Sequence, residues 1–118
     1  MTSLLHIREA RTGDEDAIFA MLWEFAEFEK LTHTFRLTRE IIARDFMGAR
    51  RRVECDVAKW EGKPAGLMIW YRIYSTFQAA PIFYLEDIFV EPKFHRRGIG
   101  TAFLRHLAGR AQRCRVGT

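Results

Sequence analysis

Leu85-Glu-Asp-Ile-Phe-Val-Glu-Pro-Lys-Phe-His-Arg-Arg-Gly-Ile-Gly-Thr-Ala-Phe-Leu-Arg-His-Leu107 reads as a strand, a basic glycine loop and a helix in direct succession. Residues 82–90 are apolar and β-prone, Pro92 ends the run, and Gly98-Ile-Gly100 opens a segment whose apolar residues Ala102, Phe103, Leu104 and Leu107 recur at helical spacing. Such a junction makes an anion site. Backbone N–H groups at a helix N-terminus have no intrahelical acceptor and carry the positive end of the helix dipole, and glycines let a phosphate come close to them. His95, Arg96 and Arg97 add side-chain charge beside that loop.

Upstream, Leu4 to Arg8 alternates as a short half-buried strand. From Glu15 to Lys30, Ile18, Met21, Leu22, Phe25 and Phe28 recur at helical steps, with Glu24, Glu27 and Glu29 on or near the other faces. Thr38 is a good N-cap for a second helix, Arg39 to Met47, stopped by Gly48. Val53 to Trp60, the turn at Glu61-Gly62-Lys63-Pro64, and Ala65 to Tyr74 read as a hairpin, and Ile82 to Val90 as the next strand. The order β-α-α-β-β-β-α, with helices and strands in separate runs, indicates an α+β fold with a mostly antiparallel mixed sheet flanked by helices.

The chain has 118 residues, 48% hydrophobic and ten of them Phe, which suits a single domain spanning residues 1–118 with a substantial core. No apolar run is long enough to span a bilayer and no basic-then-apolar leader precedes the first strand, so a cytoplasmic protein without membrane partners is expected. Cys55 and Cys114 lie far apart with no metal-ligand spacing, which suits buried or free thiols and argues against a metal. The formal charge of +4 comes from three separate clusters: Arg50-Arg51-Arg52 as a solvated turn, Arg110, Arg113 and Arg115 at a helix C-terminus, and His95-Arg96-Arg97 at the glycines. A nucleic-acid partner would rest on charge alone, because the aromatics fall mainly on core faces and not between the basic residues.

The order of strand, basic glycine loop and helix resembles the GNAT N-acetyltransferase superfamily. Its acetyl-CoA pyrophosphate loop follows Arg/Gln-x-x-Gly-x-Gly/Ala, matched by His95-Arg96-Arg97-Gly98-Ile99-Gly100 with His in the first position. Tyr84-Leu-Glu-Asp-Ile-Phe-Val90 and Phe25-Ala-Glu-Phe-Glu-Lys-Leu31 are similar to the diamine acetyltransferases, the spermidine/spermine and thialysine group. The resemblance implies acetyl-CoA as co-substrate, held by backbone groups of Ile88, Phe89 and Val90 and by Arg96, Arg97, Gly98, Ile99, Gly100 and Thr101. It implies direct attack by the amine in a ternary complex, with Glu86 as the base that takes the proton of an alkylamine whose pKa is roughly 10. It further implies substrate contacts at Phe28, Glu29 and Asp87, and often a homodimer.

Several residues keep two readings at this point. Glu86 is either that base or a buried acid satisfied by a partner, and Glu29 is either an amine ligand or part of a solvated helix face. Asp87 alternates to the opposite strand face from Glu86 if strand pairing is regular. Ser75 and Phe77 stand near positions where the polyamine enzymes have an acid and an aromatic, and Ser75 departs from that pattern. The resemblance also implies a further strand, a helix with a tyrosine proton donor, and closing strands after the last helix, whereas the sequence ends at Thr118 and Tyr71, Tyr74 and Tyr84 all precede the glycine loop. A C-terminally incomplete domain with an open sheet edge is therefore expected, with weak or absent turnover by itself. The alternative function is a non-catalytic acyl-CoA-binding or interaction module of the same fold.

Overall fold

The computed structural model describes residues 4–114, with side chains described through Arg110. The expectations attached to Arg113, Cys114 and residues 115–118 lie outside the described residues or side chains. The elements are β1 (Leu5–Glu9), α1 (Glu15–Phe28), α2 (Arg39–Asp45), β2 (Glu54–Trp60), β3 (Lys63–Ser75), β4 (Ala80–Val90) and α3 (Ile99–Cys114), with 3₁₀ turns at Thr32–Thr34 and Pro92–Phe94. Among the described residues the sheet runs β1-β2-β3-β4 and every pairing is antiparallel, so the mixed character expected of the sheet does not arise within them.

Alternation along the central strands sorts the core into two layers. Val57, Leu67, Ile69 and Phe89 face α1 and α2, where Ile18, Met21, Leu22, Ile42 and Phe46 cover them. Ala58, Met68 and Trp70 face α3, against Ile99 and Phe103. Gly66 lets this sandwich close: a Cβ there would stand 2.6 Å from the Phe89 carbonyl oxygen and 3.4 Å from the Phe103 ring. The α3 layer also holds a buried polar cluster. The Trp70 indole N–H donates to Asp56 Oδ2 at 2.7 Å, and Arg110 pairs with Glu9 at 3.0 Å, so Arg110 ties α3 to β1 and does not simply offset a helix dipole. Burial raises the Asp56 pKa, an effect that the Trp70 hydrogen bond and then His106 and Arg110 offset only in part.

Element ends follow local chemistry. Thr38 caps α2 as expected, its hydroxyl accepting from the Ile41 N–H at 3.1 Å. Helix α1 stops two residues before Lys30, which takes a left-handed conformation while the N–H groups of Lys30 and Leu31 fold back onto the carbonyls of Glu27 and Ala26. Strand β4 begins at Ala80, and Pro81 is tolerated because β4 is an edge among the described strands. Beyond Trp70, which pairs with Glu54, β3 has no β2 partner, so residues 71–75 and 80–84 form a two-stranded arm. Ser75 and Phe77 sit at its tip, where Phe77 is fully exposed.

Candidate active site

Strand β4 carries the site because its ladder to β3 is broken once. Ile69 pairs with Asp87 and Trp70 with Leu85, leaving Glu86 without a partner, a β-bulge. The extra residue cancels the alternation expected of Glu86 and Asp87. Asp87, opposite Ile69, faces α1 and α2. Glu86 lines a hollow of about 400 Å³ on that same side with Leu22, Leu37, Phe46, Val53, Ile69, Tyr71 and Asp87. The expectation of opposite faces is therefore corrected: it presumed regular pairing, and the bulge gathers both carboxylates. The Tyr71 hydroxyl donates to Glu86 Oε1 at 3.4 Å. Burial and then the Glu86 charge raise the Asp87 pKa.

A second hollow of about 270 Å³ shares Leu22, Leu37 and Asp87 with the first and continues to Phe25, Glu29, Phe35 and Arg36. The structure thus brings Glu29, the C-cap of α1, into line with Asp87 and Glu86. Phe28 is placed elsewhere, 78% exposed and outside both linings.

Past the bulge the pairing sets which backbone groups are free. Glu91 N–H donates to Ala65 O at 2.8 Å, and in this register Leu67 and Phe89 exchange ladder bonds. The polar groups of Ile88 and Val90 therefore point to the open edge while those of Phe89 point to β3. His95 turns its ring back to this edge, Nε2 lying 2.9 Å from Val90 O and donating to it, so it ties the loop to the strand. Arg96 and Gly98 both take left-handed conformations, with φ 66° and 77°, and the first intrahelical bond of α3 runs from Ala102 N–H to Gly98 O. The N–H groups of Ile99, Gly100 and Thr101 precede it and lack intrahelical acceptors. A Cβ at Gly98 or Gly100 would meet open space, so nothing crowds these N–H groups. An open strand edge leading to free helix N–H groups fits an extended arm that ends in a pyrophosphate. Arg97 lies over the Trp60 ring at 5.0 Å and lines a hollow with Lys63 and Lys93.

Reading the sequence missed three features. Glu24, on a face of α1 away from its apolar stripe, acts on Glu91, whose pKa is pushed up to about 7 first by burial and then by Glu24, against Lys93. Arg36 carries no motif, and Tyr71 became relevant only through the bulge. Cys55 is buried and free, and burial pushes its thiol pKa up, so it is no nucleophile. Among the described residues no group of His, Cys, Asp and Glu side chains could hold a metal, and no helix is long and apolar enough to cross a membrane.

The Acetyltransferase (GNAT) family profile matches residues 15–118. The chain belongs to this family. It is 37% identical over 110 residues to thialysine N-epsilon-acetyltransferase of Mus musculus, covering 86% of this chain and 64% of that protein. It is 37% identical over 116 residues to thialysine N-epsilon-acetyltransferase of Sus scrofa, covering 92% and 67%. The chain thus spans about two thirds of the length of these relatives. In fold it is similar to the crystal structure of ribosomal-protein-alanine N-acetyltransferase from Brucella melitensis biovar Abortus 2308, with a TM-score of 0.77 at 18% identity over 96% of this chain and 75% of that one.

Proposed function

We propose that this GNAT chain is an acetyl-CoA-dependent N-acetyltransferase of small primary amines, diamines, polyamines or related compounds, acting by direct attack in a ternary complex. The observation that carries the reading is the bulge, which collects Glu86 and Asp87 on one face beside the free edge of β4. Asp87 and Glu29 attract the ammonium form, and Glu86 accepts a proton from the nitrogen that attacks. The N–C bond forms at the thioester carbonyl, the C–S bond breaks, and the thiolate leaves with the electron pair and is protonated afterwards. Ile88 and Val90 backbone groups and the N-terminus of α3 support acetyl-CoA as the co-substrate, with Gly98, Ile99, Gly100 and Thr101 at its pyrophosphate.

The names of the relatives, thialysine acetyltransferases, support an amine acceptor. A homodimer, as the resemblance to the diamine acetyltransferases implies, belongs to the same reading. A cytoplasmic location completes the reading, with Cys55 kept as a thiol.

Calorimetric titration with CoA, paired with a thiol-release assay over diamines and amino acids, tests the reading. CoA binding with amine-dependent thiol release supports it. CoA binding without turnover of any amine returns the chain to an acyl-CoA-binding module, and absence of CoA binding overturns both.

A further inference from the structure

The two joined hollows carry charges of both signs. Asp87 sits where they meet, Glu86 lies on one side, and Glu29 and Arg36 line the other over an apolar floor. Arg36 is the unexpected member. Its neighbours in sequence are anchored: Phe35 packs edge-on against Phe19 and Trp23, with ring centroids 5.7 and 5.3 Å apart, and Leu37 is packed against the α1/α2 core. That fixes the backbone on both sides of Arg36, and its guanidinium is further tied to the His33 carbonyl oxygen at 3.3 Å.

Several other arginines are neutralised by a carboxylate. Arg8 pairs with Asp14, Arg39 with Asp16, Arg44 with Asp45 and Arg51 with Glu54. Arg36 shares a hollow with two carboxylates, yet among the described residues it forms an ion pair with neither. A hollow that keeps a guanidinium and carboxylates apart is complementary to a ligand bearing an ammonium and a carboxylate of its own. It is a poor fit for a ligand with cations at both ends, because the far cation would meet the like charge of Arg36. At about 270 Å³ the far hollow lies below the roughly 300–1,000 Å³ typical of drug-sized ligands, so its occupant is small.

We infer that Arg36 is a specificity-determining residue that selects an amino acid with a side-chain amine over a simple diamine: Arg36 pairs the α-carboxylate, Glu29 takes the α-ammonium, and the side-chain amine reaches Asp87 and Glu86. This rests on the acetyltransferase reading of the same site. The planar guanidinium offers a carboxylate two parallel N–H donors, whereas diamines and polyamines present nothing for it to bind.

Lysine and cadaverine differ only by the carboxylate and serve as the two probes. Each is titrated calorimetrically into the CoA-loaded chain for wild type, Arg36→Ala and Arg36→Glu, with CoA affinity and thermal unfolding confirming that the variants are folded. Lysine binds wild type more tightly than cadaverine; Arg36→Ala weakens lysine by about 10- to 100-fold and leaves cadaverine within about two-fold, and Arg36→Glu reverses the preference. Equal weakening of both ligands, or no change in lysine affinity, overturns the assignment of Arg36 while leaving the amine site in place. If wild type binds CoA but neither amine, the acceptor-site reading itself fails and Arg36 with it.

Discussion

The Tyr71 hydroxyl donates to Glu86 Oε1 at 3.4 Å, across the point where β4 drops out of register with β3. Burial and the Glu86 charge both raise the Tyr71 pKa, so the phenol is a neutral donor at physiological pH. It orients the carboxylate without taking its proton. Glu86→Gln should lower kcat/KM for the amine by about 100- to 10,000-fold and leave CoA affinity unchanged, as a proton-accepting role requires. Tyr71→Phe should cost only about three-fold, since one long hydrogen bond to an exposed carboxylate is lost. Thiol release and calorimetry on the two variants check both.

The Glu24–Glu91 pair makes stability depend on pH. The Glu91 pKa lies near 7 when folded and near 4.5 when unfolded, so the folded state holds the proton more tightly. Stability therefore falls as pH rises from about 4.5 to about 7 and levels above that. Asp87, also raised, adds in the same direction. Glu24→Gln removes the like charge and should stabilise the chain at pH near 8 by about 1 kcal/mol, the full shift being discounted for solvent screening. Urea unfolding at several pH values reads this out; an unchanged slope in the variant would count against the pair.

Arg96 holds a left-handed backbone with φ 66°. A side chain there costs about 1–2 kcal/mol, part of which glycine returns through its freer unfolded state. Arg96→Gly should gain about 0.5 kcal/mol, a rise of about 3 °C in Tm, measured without ligand so that the lost charge does not enter.

Gly66→Ala should act in the opposite sense. Its Cβ would stand 2.6 Å from a backbone oxygen of β4, which cannot swing aside like a side-chain tip. A loss of about 1–3 kcal/mol in denaturant unfolding is expected, with weaker CoA binding, because the displaced strand is the one whose edge and following loop are proposed to hold the co-substrate.

How far the sequence spoke depends on the range of the physics involved. The periodicity of α1, the Thr38 cap and the sequence Gly98-Ile-Gly100 are local, and each element they indicate is present. The end of α1 at Phe28 and the longer β3–β4 arm differ because a left-handed Lys30 and an edge-tolerated Pro81 carry little compositional signal. Glu29 and Asp87 line one hollow, whereas Phe28 stays in solvent. Leu85-Glu-Asp-Ile-Phe-Val90 alternates like a regular strand, and only pairing with β3 reveals the bulge that unites Glu86 with Asp87. Glu24 meets Glu91 across 67 positions, and Arg36 reaches the hollow because Phe35 and Leu37 pin its loop. Such meetings belong to tertiary packing and leave no pattern in the chain.

The placement of Arg97 over Trp60 gives the molecule its own optical probe. The three tryptophans occupy distinct settings: Trp60 beneath a cation beside the anion loop, Trp23 half-exposed against Phe35 near the acceptor hollow, and Trp70 fully buried on Asp56. An anion that draws Arg97 toward the loop would change the emission of Trp60, an occupant of the hollow that of Trp23, and neither that of Trp70. Single-tryptophan variants would therefore report co-substrate and acceptor arrival as separate fluorescence signals, with the variant that keeps only Trp70 as the silent control.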